Sequence, residues 1–205
     1  VQTHFGQFRH DEGFHGKSGE LHISPPRTTY SVLDQLIEAA GRCGYRPYAD
    51  YNGHRQDGFN YFQLAQKNGL RHSSYQAFIA PILKKRQNLT QLSSAHVLDL
   101  CFADDTQIVT GVEIEIGGEK QIIQANREVI LCAGAFGSPQ ILELSGIGDA
   151  TRLKSMGITP RINLPSVGEH LADHFLTRLT FELLTGDSLN TSLSGLGLIK
   201  EILRF

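Results

Sequence analysis

The stretch that most constrains this chain is residues 128–148, EVILCAGAFGSPQILELSGIG. It opens on Val129, Ile130, Leu131 and Cys132, a short unbroken apolar run, β-branched at its start and closed by small residues. Such a run reads as a strand buried on both faces, with Cys132 as a small core residue. Ala133, Gly134, Ala135 and Gly137 follow, none bulky enough to hold a neighbour away from the backbone. Ser138 is placed to cap a helix with Pro139 at its first position, where a missing N–H costs nothing. Ser145-Gly146-Ile147-Gly148 then ends that helix after about two turns. Strand, small-residue turn and helix N-terminus, in that order, are how α/β proteins present backbone amides to phosphate-bearing cofactors.

The flanks alternate between helical and extended patterns. Near the N-terminus, residues 15–24 read as a turn feeding a short strand with Leu21 and Ile23 inward, broken by Pro25-Pro26. His4, His10 and His15 lie in a polar stretch and read as solvated. Residues 30–43 carry an apolar stripe of Val32, Leu33, Leu36, Ile37 and Ala40 behind a capping Ser31, so they predict a helix. Asn52-Gly53 marks a turn, and a second helix is expected over 73–85 with Pro81 near its end. Residues 89–132 form the clearest β region. Short strands are expected at 89–92 and 95–102, then at 108–116, where Val112, Ile114 and Ile116 alternate with Glu113 and Glu115. Gly117-Gly118 supplies a type I′ turn, 121–125 returns, and 128–132 completes the set. Beyond Gly148, a short helix over 150–156 ends at Gly157 and an extended stretch follows over 158–164. The last thirty or so residues alternate through Leu176, Leu179, Phe181 and Leu183, then enter an amphipathic helix near Ser194.

Several functions are disfavoured by what is missing. A net charge of −2 over 205 residues offers no basic excess for nucleic acid. No apolar run approaches the roughly 20 residues needed to span a bilayer. Cys43, Cys101 and Cys132 have no CxxC spacing and build neither a disulfide framework nor a zinc site. His170 and His174, spaced i, i+4 with Glu169 and Asp173 beside them, form no HExxH motif, so no metal is assigned. No Gly-x-Ser-x-Gly elbow is present. Gly146-Ile-Gly148 and Gly195-Leu-Gly197 each lack a third glycine, so neither is a dinucleotide fingerprint. The start at Val1, with no apolar leader segment, reads as a processed or partial chain. Sequons at Asn88 and Asn190 leave secretion open, and compartment and oligomeric state are otherwise not legible.

The run from Gly134 to Gly148 resembles the second signature of the glucose–methanol–choline (GMC) flavoprotein oxidoreductases: small residue, two variable positions, Ser-Pro, aliphatics, then Ser-Gly-aliphatic-Gly. Further pieces agree in order. They are His15-Gly16 with Gly19, the set Asp50, Asn52, Gly53 and Gly58, Arg71 with Ser73, and Pro165-Ser-Val-Gly-Glu-His-Leu-Ala-Asp-His174. The resemblance covers about residues 13–175. It implies a mixed α/β fold: part of a glutathione-reductase-type FAD-binding domain with its β-meander, plus pieces of a substrate-binding domain. In those terms residues 1–27 are a substrate-side or lid segment, 28–170 part of the FAD-binding domain with the meander at 89–132, and 171–205 the start of the substrate-binding domain.

The function implied is hydride transfer from the CH–OH group of a small-molecule alcohol to FAD. An FAD-containing lyase or a catalytically inactive truncated product are the alternatives. Val97, on the strand leading into the meander, is expected to meet the adenine through its backbone, and Ala133, Gly134 and Ala135 to pass near the dinucleotide. Asp173 and His174 are expected to be structural. The family's N-terminal dinucleotide βαβ unit and its C-terminal catalytic histidine segment are absent from these residues. No catalytic residue is therefore assigned, weak FAD retention by this chain alone is expected, and its parallel strand is expected to expose an apolar edge.

Overall fold

A computed structural model describes residues 14–16, 18–48, 50, 52–104, 106–183, 190, 193–195, 198 and 199. His4, His10 and most of the helix expected from Ser194 lie outside them. The chain divides into two compact units, one drawn from Val1–Thr90 with Leu179–Phe205 and the other from Gln91–Arg178.

In the second unit, alternation dictates a meander. Strands β3 (Ala95–Phe102), β4 (Val109–Ile116) and β5 (Glu119–Gln124) form an antiparallel sheet in the order β3-β4-β5; β1 (Gln66–Lys67) and β2 (Leu70–Arg71) belong to the other unit. Val97 pairs with Ile114 and Asp99 with Glu113, so the register slips by one residue at Leu98. Gly117 and Gly118 take φ of 62° and 87°, the left-handed pair that a type I′ turn requires. Leu100, Ile141 and Ile147 centre the core, with Val97, Val112, Val129, Leu131 and Ile162 packed around them.

Helix α3 (Gly134–Leu144) supplies Ile141 to that core. Its C-terminus is tied to the sheet by Ser145, only 3% exposed. The Ser145 hydroxyl donates to the Ile141 carbonyl at 2.6 Å and accepts the Leu100 N–H at 3.0 Å. Strand β6 (Ile147–Gly148), helix α4 (Ala150–Ser155) and β7 (Ile162–Asn163) then make a small β-α-β turn, with Ile147 pairing Ile162 in parallel. Asp149 caps α4 by accepting the Arg152 N–H at 2.7 Å, and Leu153 is fully buried. Gly146, at φ +80°, lets the chain turn between α3 and β6; a Cβ there would stand 2.6 Å from the Thr159 carbonyl oxygen.

The other unit holds α1 (Ser31–Arg42), the two-residue pair β1 (Gln66–Lys67) and β2 (Leu70–Arg71), and α2 (Ala80–Leu83). A π-turn at Tyr75–Ile79 precedes α2. Pro81 has no N–H for the Ala77 carbonyl, and the turn before it closes in the wider i→i+5 form, Ala80 N–H to Tyr75 carbonyl. Ser73 and Gln76 form a reciprocal cap at its start: the Ser73 N–H donates to Gln76 Oε1 at 2.8 Å and the Gln76 N–H to Ser73 Oγ at 3.4 Å.

Several expectations fail, each for a local reason. Residues 129–132 form no strand: Val129 and Leu131 pack on the core, while Ile130 is 75% exposed and Cys132 is exposed. No neighbouring strand flanks them among the described residues, so only one side of the run finds a partner. Residues 89–92 form no strand; they are irregular and follow a turn closed by the Leu89 N–H to Arg86 carbonyl bond. The 21–23 strand reduces to a single Ser24–Leu64 bridge. Ser31 is the first helical residue rather than the cap, because extended Tyr30 already accepts the Leu33 and Asp34 amides through its carbonyl. Residues 171–183 are exposed and unpaired, and no helix carries His170 and His174. His15 is not solvated: its Nε2 lies 2.6 Å from Asp50 Oδ2, with both side chains 9% exposed. Asp50 also accepts the Asn52 and Gln63 N–H groups, so the His-Gly and Asp-x-Asn-Gly pieces are one hydrogen-bonded cluster.

Candidate functional site

The start of α3 departs from the expected cap. Ala133 is its N-cap, Gly134 its first residue, and Pro139 lies inside the helix, which runs for 11 residues. Gly134 at φ +85° turns the chain inward earlier than Ser138 could, and Ser138 Oγ reaches back to accept the Ala133 N–H at 3.1 Å. Beyond that bond the helix start has no side-chain cap, and its first turn holds no acidic residue. Its leading amides are therefore donors awaiting an acceptor, at the positive end of the helix dipole. A Cβ built on Gly134 would meet nothing within 4 Å, so the space over this turn is open. Pro139, lacking an N–H, also leaves the Ala135 carbonyl without its helical donor.

An open groove of about 690 Å³ runs along this helix. Ala135, Phe136, Pro139, Gln140 and Glu143 line one side; Gly168, Glu169, His170, Leu171 and Ala172 line the other. The Val-Gly-Glu-His-Leu piece thus faces the small-residue turn across one cleft, which their separation in sequence does not reveal. Of the expected contact residues, Ala133, Gly134 and Ala135 are exposed, and Ala135 lines the groove. Val97 does not line it. Its side chain packs against the core shared with Ile141, and it lies on β3, an edge strand whose outward backbone groups β4 does not use. A smaller cavity of about 400 Å³ in the other unit is lined by Arg46, Tyr48 and Arg55 among others and holds none of these residues.

Sequence reasoning missed the group that joins the two sides of the groove. Arg152 Nη1 donates to Glu169 Oε1 at 2.6 Å, and Nη2 donates to the Val167 carbonyl at 2.9 Å and to Glu143 Oε1. The hydrogen bond to Glu169, helped by the nearby Glu143 carboxylate, raises the guanidinium pKa above its ordinary value. Among the described residues no cluster of three or more His, Cys, Asp and Glu side chains is arranged to hold a metal ion.

A helix with a small-residue N-terminus, packed on a meander and bordered by an open groove, makes a mixed α/β scaffold. The model of the GMC oxidoreductase family matches residues 3–176, and the chain belongs to that family. It is 39% identical over 168 residues to an oxygen-dependent choline dehydrogenase of Rhizobium meliloti, covering 80% of this chain and 29% of that protein. It is also 39% identical over 191 residues to an oxygen-dependent choline dehydrogenase of Staphylococcus haemolyticus, covering 93% of this chain and 32% of that protein. The chain therefore spans under a third of these curated relatives. Among solved structures, pyridoxine 4-oxidase from Mesorbium loti superposes with a TM-score of 0.73 at 26% identity, over 80% of this chain and 32% of that one. An FAD-dependent oxidoreductase from Chaetomium thermophilum gives 0.72 at 24% identity, over 80% and 30%, a likeness of fold. Among the described residues no helix is long and apolar enough to cross a membrane.

Proposed function

We propose that the protein carrying this chain is an FAD-dependent oxidoreductase acting on the CH–OH group of small-molecule alcohols, and that this chain contributes part of its cofactor-binding scaffold. The observation that carries the reading is the uncapped, small-residue start of α3 inside the family match. An anionic dinucleotide fits it: exposed Ala133, Gly134 and Ala135 allow close backbone approach, the helix end supplies free amides, and no carboxylate lies in the first turn. Glu143 and Glu169, the carboxylates that line the groove, are held by Arg152, and none stands in the first turn of α3.

Val97 is read as the adenine contact through the backbone of an edge strand, residues 28–170 as part of the cofactor domain, and 171–205 as the start of the substrate side. When bound, FAD accepts hydride from the alcohol carbon. This chain's residues bind and orient; none is assigned the hydroxyl proton. Choline, the substrate in the names of the curated relatives, is the first donor to test. Expressed from its complete reading frame, the protein should purify with stoichiometric FAD. Gly134→Val, placing a branched side chain in the open space over the turn, should release it while the meander stays folded. Unchanged FAD content in Gly134→Val would refute the assignment of this turn.

A further inference from the structure

We infer that Arg152 is a positioning residue for the groove: its guanidinium fastens the turn over residues 164–170 to the end of α3, and so fixes the wall that faces Ala135. The proposal rests on the preceding reading only for what the groove holds. Three segments meet on one planar fork. Glu143 comes from the last turn of α3, the Val167 carbonyl from the turn itself, and Glu169 from the groove wall beyond it. Arginine alone among side chains offers enough fixed, coplanar donors to serve all three.

The fork is itself held in place. The Arg152 N–H is bound by the Asp149 cap at 2.7 Å, and the adjoining Leu153 is fully buried. Gly168 explains how close the turn comes: a Cβ there would lie 3.0 Å from Glu143 Oε1 and 3.4 Å from Arg152 Nη2. At φ +78° it is also a conformation natural to glycine, and His170, at φ +58°, turns the chain again as it enters the groove. Arg152 has an electrostatic role as well. Without it, Glu143 and Glu169 would stand as two uncompensated carboxylates bordering a cleft read as taking an anion. They would push the wall outward and make it repel the ligand.

Amide exchange on this chain decides the proposal. The Val167 and Glu169 amides donate within the turn, to the Leu164 and Ser166 carbonyls. In Arg152→Met they should exchange about tenfold faster, while the β3–β4 amides change less than about twofold. Arg152→Lys keeps the charge and loses the fork, and should stay within about threefold of the Met variant. Turn protection equal to that of the unmodified chain, equal acceleration in turn and sheet, or full restoration by Lys would each overturn the proposal. If Arg152→Met does not fold, Glu169→Ala removes one leg of the clamp at the surface and should accelerate the same two amides about threefold; no acceleration overturns the proposal.

In the protein from the complete reading frame, FAD release should be about tenfold faster for Arg152→Met. Unchanged release despite a loosened turn would reduce Arg152 to a purely structural residue and overturn its positioning role. A complete protein devoid of FAD would refute the functional reading instead, and the exchange experiment would still decide the clamp.

Discussion

Ser145→Ala isolates the joint between α3 and the sheet. The hydroxyl is the acceptor for the Leu100 N–H, and both residues are buried, at 3% and 8% exposure. Removing it costs little on the helix side, because the Ile141 carbonyl still receives the Ser145 N–H at 3.1 Å. On the sheet side the Leu100 N–H is left buried without a partner, a loss of about 1–3 kcal/mol. The Cβ remains, so almost no cavity opens and the hydrogen bond dominates the change. At about 2 kcal/mol the folding equilibrium constant falls about thirtyfold. For a unit of this size Tm should drop by roughly 10 °C. Urea unfolding of wild type and variant measures the difference, and exchange at the Leu100 amide reports the site directly. A loss under about 0.5 kcal/mol, or a Leu100 amide as protected as before, would show that this hydroxyl does not join helix and sheet.

The remaining predictions concern the same unit. Gly146→Ala combines a left-handed φ with a Cβ 2.6 Å from a backbone oxygen and should cost about 2–3 kcal/mol in urea melts, well above Gly134→Ala, where the space is open. Leu153→Ala should cost about 2–5 kcal/mol, since that side chain is fully buried, against about 1 kcal/mol for loss of the Asp149 cap in Asp149→Ala. Burial, then the Asp99 and Glu113 carboxylates, push the Cys101 thiol pKa up, so less thiolate is present at any given pH. Exposed Cys43 and Cys132 should react with a thiol reagent well before half-buried Cys101, whose reactivity should rise only at higher pH.

Strong periodicity was legible in the residues. The strand expected at 95–102 is β3 with the bounds observed, Gly117-Gly118 gives the β4–β5 hairpin, and the apolar stripe from Val32 to Ala40 gives α1. What misled is context that sequence pattern does not carry. An apolar run at 129–132 looks two-sided whether or not both sides find partners. Ser138 looks like an N-cap although it lies within the helix and accepts the Ala133 N–H behind it. The small residues at 133–135 announced a close-approach turn. Arg152 had no such announcement, because its carboxylate partners stand 9 and 17 residues away, off any periodic repeat. His15 was misplaced for the same reason, its partner Asp50 lying 35 residues on.

The proposed function requires that this scaffold serve an FAD enzyme that oxidises alcohols. The visible spectrum of the protein expressed from its complete reading frame, recorded without oxygen before and after choline is added, tests it most directly. One flavin per chain is expected, absorbing at about 450 nm and bleached when choline or another alcohol supplies hydride. A colourless protein, or a bound flavin that no alcohol reduces, would contradict it.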